Sequence, residues 1–312
     1  MSERSLKDLS QKENMEWKST LRNGRRVVIL GGTGKMGRWF SKFLKDKGFE
    51  VLIHSRSPEK AAKVAEELGV KYIRSIDSVR DADMVIVSTS LDSTVENIRM
   101  VSKRMRPNAI LFDIASVKGS IINALEEART LGIKAISVHP MFGPGASSIK
   151  GKRVLIIPLG NDSALLDEMS NLFEGAEIHV LDSGETHDKI VALTLSLPHF
   201  LNMIFGKTLS ASTEIGELIK FAGTTFALQL MVTEAVYSED PDLYYGIQSL
   251  NPAFTRVLDT LLESVMEVAS TVKRNDAEAF VNSFKEVRDY LAKDPNFVNA
   301  YGRFYKAYEA IS

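Results

Sequence analysis

Cysteine is absent from all 312 residues. That excludes disulfides, thiolate metal sites and cysteine nucleophiles, and it fits a reducing cytoplasm, the expected location. Net charge is almost absent as well. Lys and Arg number 39 against 40 Asp and Glu, a formal −1, with no run rich in Lys or Arg. Nucleic acid is therefore not an expected partner. The first residues, MSERSLKDLSQKENMEWKSTLRNGR, are too polar for a secretory leader, and no later stretch reads as apolar for long enough to span a bilayer. No membrane association and no bound metal are expected. What is present is the balance of a globular protein, 44% hydrophobic and 25% charged, in a length that suits two domains.

Residues 1–24 read as a polar tail without a sustained apolar stripe. From Arg25 short β-branched runs alternate with helical patterns: VVIL (27–30), VLIH (51–54), KYI (71–73), MVIVS (84–88), AILFDI (109–114), AISV (135–138), RVLIIP (153–158) and EIHVL (177–181). Continuous apolar strands separated by amphipathic helices predict an α/β, doubly wound, mostly parallel sheet of the Rossmann type over residues 25–183. Beyond Leu181 strand signals stop. Three- and four-residue spacing of apolar residues predicts helices over 186–211, 214–238, 242–271 and 275–292, hence an all-helical domain over 184–312. The runs VALTLSLPHFLNMIF and LIKFAGTTFALQLMV are apolar on most sides, which calls for burial inside a bundle or against a second subunit. A homodimer through this half is expected.

The first strand runs into Gly31-Gly32-Thr33-Gly34-Lys35-Met36-Gly37 and then a helix. Gly32, Gly34 and Gly37 are a GxGxxG motif in its strand–turn–helix context, which predicts that a dinucleotide pyrophosphate sits on the helix N-terminus. Gly32 is assigned the tight turn, Gly34 the close approach to phosphate and Gly37 the close packing of helix on strand. Ser88, at the end of another strand, is placed beside the same ligand. The second strand ends His54-Ser55-Arg56-Ser57, with Lys60 a turn further on and no carboxylate where NAD-specific folds usually carry one. Ser55, Arg56 and Ser57 suit a 2′-phosphate, so NADP is expected over NAD. The other reading has Arg56 stacking on adenine, as in NAD enzymes.

Of the five histidines, His54 and His179 fall on strands and read as structural. His139 opens the segment His139-Pro140-Met141-Phe142-Gly143-Pro144 at the carboxyl end of a strand, where ligands bind in open α/β sheets. Two prolines stiffen that turn, which makes His139 a candidate acid–base group. Ser116 and Lys118, in DIASVK, emerge on the same edge. Ser116 either hydrogen-bonds a substrate hydroxyl or caps the following helix, and Lys118 attracts an anionic substrate. In Leu197-Pro198-His199 the proline removes a helical hydrogen bond. His199 either binds substrate or bonds the carbonyl so freed.

Together GGTGKMG, DIASVK, HPMFGP, the pair His187-Asp188 and SLPHF resemble the prephenate/arogenate dehydrogenase family of tyrosine biosynthesis, over about residues 26–292. The texture is similar to the dehydrogenase half of the bifunctional chorismate mutase–prephenate dehydrogenases. The tail is expected to be too short for the mutase, and no regulatory domain is expected after the helices. The resemblance implies NAD(P)-dependent oxidative decarboxylation of a cyclohexadienol dicarboxylate. By it, His139 takes the proton of the ring hydroxyl, Ser116 holds hydroxyl and nicotinamide, and His199 lines the substrate pocket with His187 nearby. Relatives place an arginine shortly before an Asp-Pro-x-Leu-Tyr element, but here no Lys or Arg lies between Lys220 and Arg256. A buried carboxylate needs a cation. Arg256, Lys118 or Lys207 is the expected substitute; otherwise the substrate differs. Prephenate is the expected substrate; arogenate as substrate, a β-hydroxyacid type of dehydrogenase with Lys207 as catalytic group, and a non-catalytic NADP-binding protein are the competing readings.

Overall fold

A computed structural model describes residues 24–212 and 214–311. The expected polar tail lies outside the described residues but for Gly24. The chain then runs β1 (Arg26–Leu30), α1 (Lys35–Asp46), β2 (Glu50–His54), α2 (Pro58–Leu68), β3 (Lys71–Tyr72), β4 (Met84–Val87), α3 (Leu91–Ser102) and β5 (Ile110–Asp113). It continues with α4 (Gly119–Thr130), β6 (Lys134–Pro140), β7 (Arg153–Pro158), α5 (Ser163–Leu172) and β8 (Glu177–Val180). All eight expected strands form and join one sheet in the order β3-β2-β1-β4-β5-β6-β7-β8. Every pair is parallel except β6 with β7. The strands read as continuous apolar runs because both faces are covered. Val27 and Ile29 of β1 enter one buried cluster, Val28 and Leu30 the other. Each such side chain contributes on the order of 1.5–3 kcal/mol. Strand order reverses at β1, so the crevice beyond the carboxyl ends of β1 and β4 is the place for a ligand.

The chain divides into two compact units between Asp188 and Lys189, within α6 (Gly184–Val191). The break comes five residues after the expected 183/184 boundary, because His187 and Asp188 bond into the sheet unit. Among the described residues of the second unit every regular element is a helix. The unit holds a π-helical turn (Ala192–Ser196), α7 (Leu197–Ser210), α8 (Ile215–Lys220), α9 (Thr224–Tyr237), α10 (Pro241–Ser249), α11 (Phe254–Lys273), α12 (Ala277–Leu291) and α13 (Ala300–Glu309).

Three expectations for this half are corrected. The helix expected over 214–238 breaks at Phe221–Gly223, where Gly223 becomes the extended N-cap of α9. The one expected over 242–271 breaks before α11 at Asn251-Pro252. Proline has no N–H to continue the ladder, and Asn251 Oδ1 accepts the Ala253 N–H instead. The helix expected over 186–211 runs through Pro198, carried by the π turn just before it, as such bulges do where the hydrogen-bond ladder is interrupted. Gly184–Ser210 is thereby one 27-residue helix, long and apolar enough by length and composition to cross a membrane, contrary to expectation. Its first turns carry His187 and Asp188, which are buried in the sheet unit.

Candidate active site

Gly31, not Gly32, takes the left-handed conformation of the turn after β1 (φ +74°), and its β-carbon would strike the Ser88 carbonyl. A β-carbon on Gly32 would lie 2.5 Å from Ile53 Cβ, so Gly32 answers to strand packing rather than to the turn expected of it. One on Gly37 would fall on the Gly31 carbonyl oxygen and 2.7 Å from Gly32 Cα. This is the close helix–strand approach expected of that position. Gly34 is the extended, exposed N-cap of α1 and lends no side chain to the helix end, while Thr33, Lys35 and Met36 complete the loop. An uncapped helix N-terminus behind a cradle without β-carbons fits a phosphate-bearing nucleotide. Ser88 is half-buried at the end of β4, on the edge of the sheet where this loop lies.

At the end of β2, the His54 carbonyl accepts the N–H groups of Gly31 (3.0 Å) and Gly32 (3.2 Å). Thr33 Oγ1 donates to Ser55 Oγ (3.3 Å), tying this strand end to the glycine loop. Ser57 is occupied as N-cap of α2: its Oγ accepts the Lys60 N–H (3.2 Å) and donates to Glu59. Arg56 is exposed, as is Lys60.

The buried polar groups gather at the carboxyl ends of β5 and β6. Asp113, the last residue of β5, is wholly buried and accepts from Ser137 Oγ (2.6 Å), the Ala115 N–H (2.9 Å) and Lys118 Nζ (2.6 Å). Lys118 Nζ also donates to the Val138 carbonyl (2.8 Å). The Lys118 side chain exposes no surface, so the expected anion-attracting role is corrected: its charge is held by Asp113. Burial pulls the Lys118 pKa down against the raising effect of Asp113.

His139 does not open a loop. It is the penultimate residue of β6, paired with Leu155 of β7, and is 4% exposed. The segment after it is fastened to α1 by Trp39, whose Nε1 donates to the Ala146 carbonyl (2.7 Å) and whose ring lies 4.9 Å from that of Phe142. His139 Nδ1 lies 2.9 Å from His187 Nε2, and His187 Nδ1 lies 2.8 Å from Asp188 Oδ1. Both ring nitrogens of His187 are thus engaged inside the protein, in place of the expected contact with substrate. Asp188 also accepts the N–H groups of Lys118 and Gly119, both at 2.9 Å, at the start of α4. This carboxylate, and not Ser116, caps that helix; Lys118 is the N-cap residue. Ser116 is half-buried, its hydroxyl without a partner among the described residues. Burial drives the His139 pKa well below its usual value, helped by His187 and Lys118, and burial also lowers His187 despite Asp188.

In the helical unit His199 stands on α7 with Nδ1 buried and unpartnered among the described residues, its ring 4.8 Å from that of Tyr244. Burial lowers its pKa. Arg256 is exposed on α11. Lys207 is exposed on α7 beside a shallow cavity of about 350 Å³ that Gly206, Ser210 and Tyr237 also line. Asp113, Ser137 and Trp39 went unread in the sequence. An acidic residue closing an otherwise apolar strand was the available signal for Asp113.

A glycine-cradled sheet edge followed in the chain by a helical unit defines a Rossmann-type nucleotide-binding protein with an appended helical domain. The family model described as the prephenate dehydrogenase nucleotide-binding domain matches residues 40–181, and that of the prephenate dehydrogenase dimerization domain matches residues 183–286. The chain belongs to the prephenate dehydrogenase family. It is 32% identical over 274 residues to a probable arogenate/prephenate dehydrogenase of Methanocaldococcus jannaschii, covering 86% of this chain and 61% of that protein. To the 4-amino-4-deoxyprephenate dehydrogenase of Streptomyces pristinaespiralis it is 26% identical, covering 86% of this chain and 92% of that protein. The crystal structure of prephenate dehydrogenase from A. aeolicus, in complex with hydroxyphenyl propionate and NAD+, superposes with a TM-score of 0.72 at 23% identity. It covers 86% of this chain and 98% of that one, a likeness in fold.

Proposed function

We propose that the chain oxidatively decarboxylates prephenate to 4-hydroxyphenylpyruvate, with NADP preferred over NAD. The observation that carries this reading is His139. It is buried at the carboxyl end of β6, one ring nitrogen is bound to His187, and Nε2 is left without a partner among the described residues. A bound nicotinamide supplies the hydride acceptor. His139, kept neutral by burial, takes the proton of the ring hydroxyl at Nε2. The unpartnered Ser116 hydroxyl holds the substrate oxygen. The α1 N-terminus and Gly34 bind pyrophosphate, and Arg56 pairs with the 2′-phosphate. Loss of the ring carboxylate as CO2 aromatises the ring and makes the step irreversible. The dimerization-domain match supports a homodimer through the helical half.

A second reading, arogenate as substrate, is favoured by α9. That helix carries Glu234 and no cation, which suits an amine better than a second carboxylate. The test crosses prephenate and arogenate with NADP and NAD and follows cofactor reduction by absorbance. The highest kcat/KM is expected with prephenate and NADP, and in Arg56→Ala the KM for NADP should rise more than that for NAD. Turnover of small hydroxyacids alone would point to the β-hydroxyacid type. Tight NADP binding without any turnover would mark a binding protein.

A further inference from the structure

We propose that Asp188 sets the tautomer of His139 through His187, and that the three side chains form a relay that takes up the proton removed from the substrate. This rests on the proposed dehydrogenation and adds two positioning residues to it.

The order of donors follows from the carboxylate. Asp188 receives the backbone N–H groups of Lys118 and Gly119 at the positive end of α4, where a negative charge is favoured. An ionised carboxylate only accepts, so His187 Nδ1, 2.8 Å from Asp188 Oδ1, carries a hydrogen. A neutral imidazole has one donor and one acceptor. His187 Nε2 is then a lone pair, and His139 Nδ1, 2.9 Å away, must donate to it. His139 Nε2 is left as a lone pair, the form a general base needs. With the carboxylate's preference removed, the sequence of donors can reverse. His139 would then carry its hydrogen on Nε2, where it cannot accept another.

The same chain accounts for the proton. When the substrate O–H bond breaks, its proton forms the His139 Nε2–H bond. The His139 Nδ1 proton passes to His187 Nε2. His139 returns to neutrality, and His187 becomes an imidazolium bonded to the Asp188 carboxylate. The electron pair of the carbinol C–H bond leaves as hydride to the oxidised nicotinamide, the pair of the broken C–CO2 bond completes the aromatic ring, and the phenolate oxygen so formed takes the proton back through His139 Nε2. The charged groups around the pair are Lys118 and Asp113 from the β5–α4 segment and Asp188 from α6. The Lys118 ammonium opposes protonation of both rings, whereas Asp188 and Asp113 favour a charge on His187. The resting pair is neutral, and the transferred charge comes to rest next to Asp188.

If Asp188 merely caps α4, its loss lowers stability and leaves the imidazoles as they were. The test uses the full chain labelled with 15N in its five histidine rings, with two-bond 1H–15N spectra of the wild type, Asp188→Asn and His187→Gln. The wild type is expected to show His139 protonated at Nδ1 with Nε2 bare. In Asp188→Asn the amide can donate to His187 Nδ1, and His139 is expected to move to the Nε2-protonated form. His187→Gln, which keeps the Asp188 cap, is expected to lose the Nδ1 preference. In both variants kcat should fall about 10²–10⁴-fold with KM and dinucleotide Kd changed by about twofold or less. A wild-type His139 protonated at Nε2, or variants that keep its tautomer and kcat, would overturn the relay while leaving the dehydrogenase reading in place. The expected tautomers in a protein that oxidises neither prephenate nor arogenate would support the tautomer order and remove the functional reading.

Discussion

Lys118 illustrates how burial changes what a charge does. An ammonium in water attracts anions; with no exposed surface and a carboxylate at 2.6 Å it neutralises that carboxylate and fastens β5 to α4. Lys118→Met would leave Asp113 buried with Ser137 and one backbone N–H but no counter-charge. It is expected to lose about 3–5 kcal/mol of stability, read as a lower urea midpoint, because an uncompensated buried charge is the costly state. The histidines give the acid side of the stability curve. Burial lowers the pKa of His54, His139, His187 and His199 in the folded chain. As pH falls below the usual value of 6.5 the unfolded chain takes up protons first. Stability is therefore full above about pH 6.5 and declines as pH drops toward the folded values. The urea midpoint should decrease between pH 7 and 5, less steeply in His139→Asn. Residue type and spacing were enough to single out His139, Ser116 and the glycines as candidates. They could not tell a buried lysine from an open one, nor a histidine that stands behind another from one that faces a ligand, since only the packed sheet decides which side chains lose water.

Elements were legible to the extent that their pattern was local. Eight apolar runs became eight strands, because a strand covered on both faces needs no partner in sequence to declare itself. Helix ends in the second half were harder: Gly223 and Asn251-Pro252 cut two expected helices, whereas Pro198 stays inside the helix expected over 186–211. The outcome turned on whether neighbouring turns could re-satisfy the freed carbonyl, which a π turn did in one case. A close element contact joins α1 to the loop after β1. Gly37→Ala has no room for its methyl group against the Gly31 carbonyl and Gly32 Cα, backbone on both sides. It should cost roughly 1–3 kcal/mol and weaken dinucleotide binding, measured by cofactor titration. Unchanged affinity and stability would mean that the loop yields.

For the whole molecule, the helical half leaves much apolar surface uncovered in a single chain. Leu193, Leu201, Ile204, Phe221, Met231 and Val232 of the apolar runs are exposed, and Phe280, Phe284, Val287 and Leu291 make one unpartnered face of α12. Burial within one bundle, one of the two ways to satisfy those runs, is not what the fold does. A second copy is the cover that the dimerization-domain match supports. Phe284, 64% exposed, is the most exposed side chain of that face. Phe284→Glu is expected to shift sedimentation from dimer toward monomer at micromolar concentration; an unaltered dimer would place the interface elsewhere. The proposed activity comes back to one imidazole. Steady-state oxidation of prephenate by His139→Asn, set beside its dinucleotide Kd, tests that most directly. The kcat is expected to fall about 10²–10⁴-fold below the wild type with nucleotide binding intact, and a variant that turns over at the wild-type rate would rule out His139 as the base.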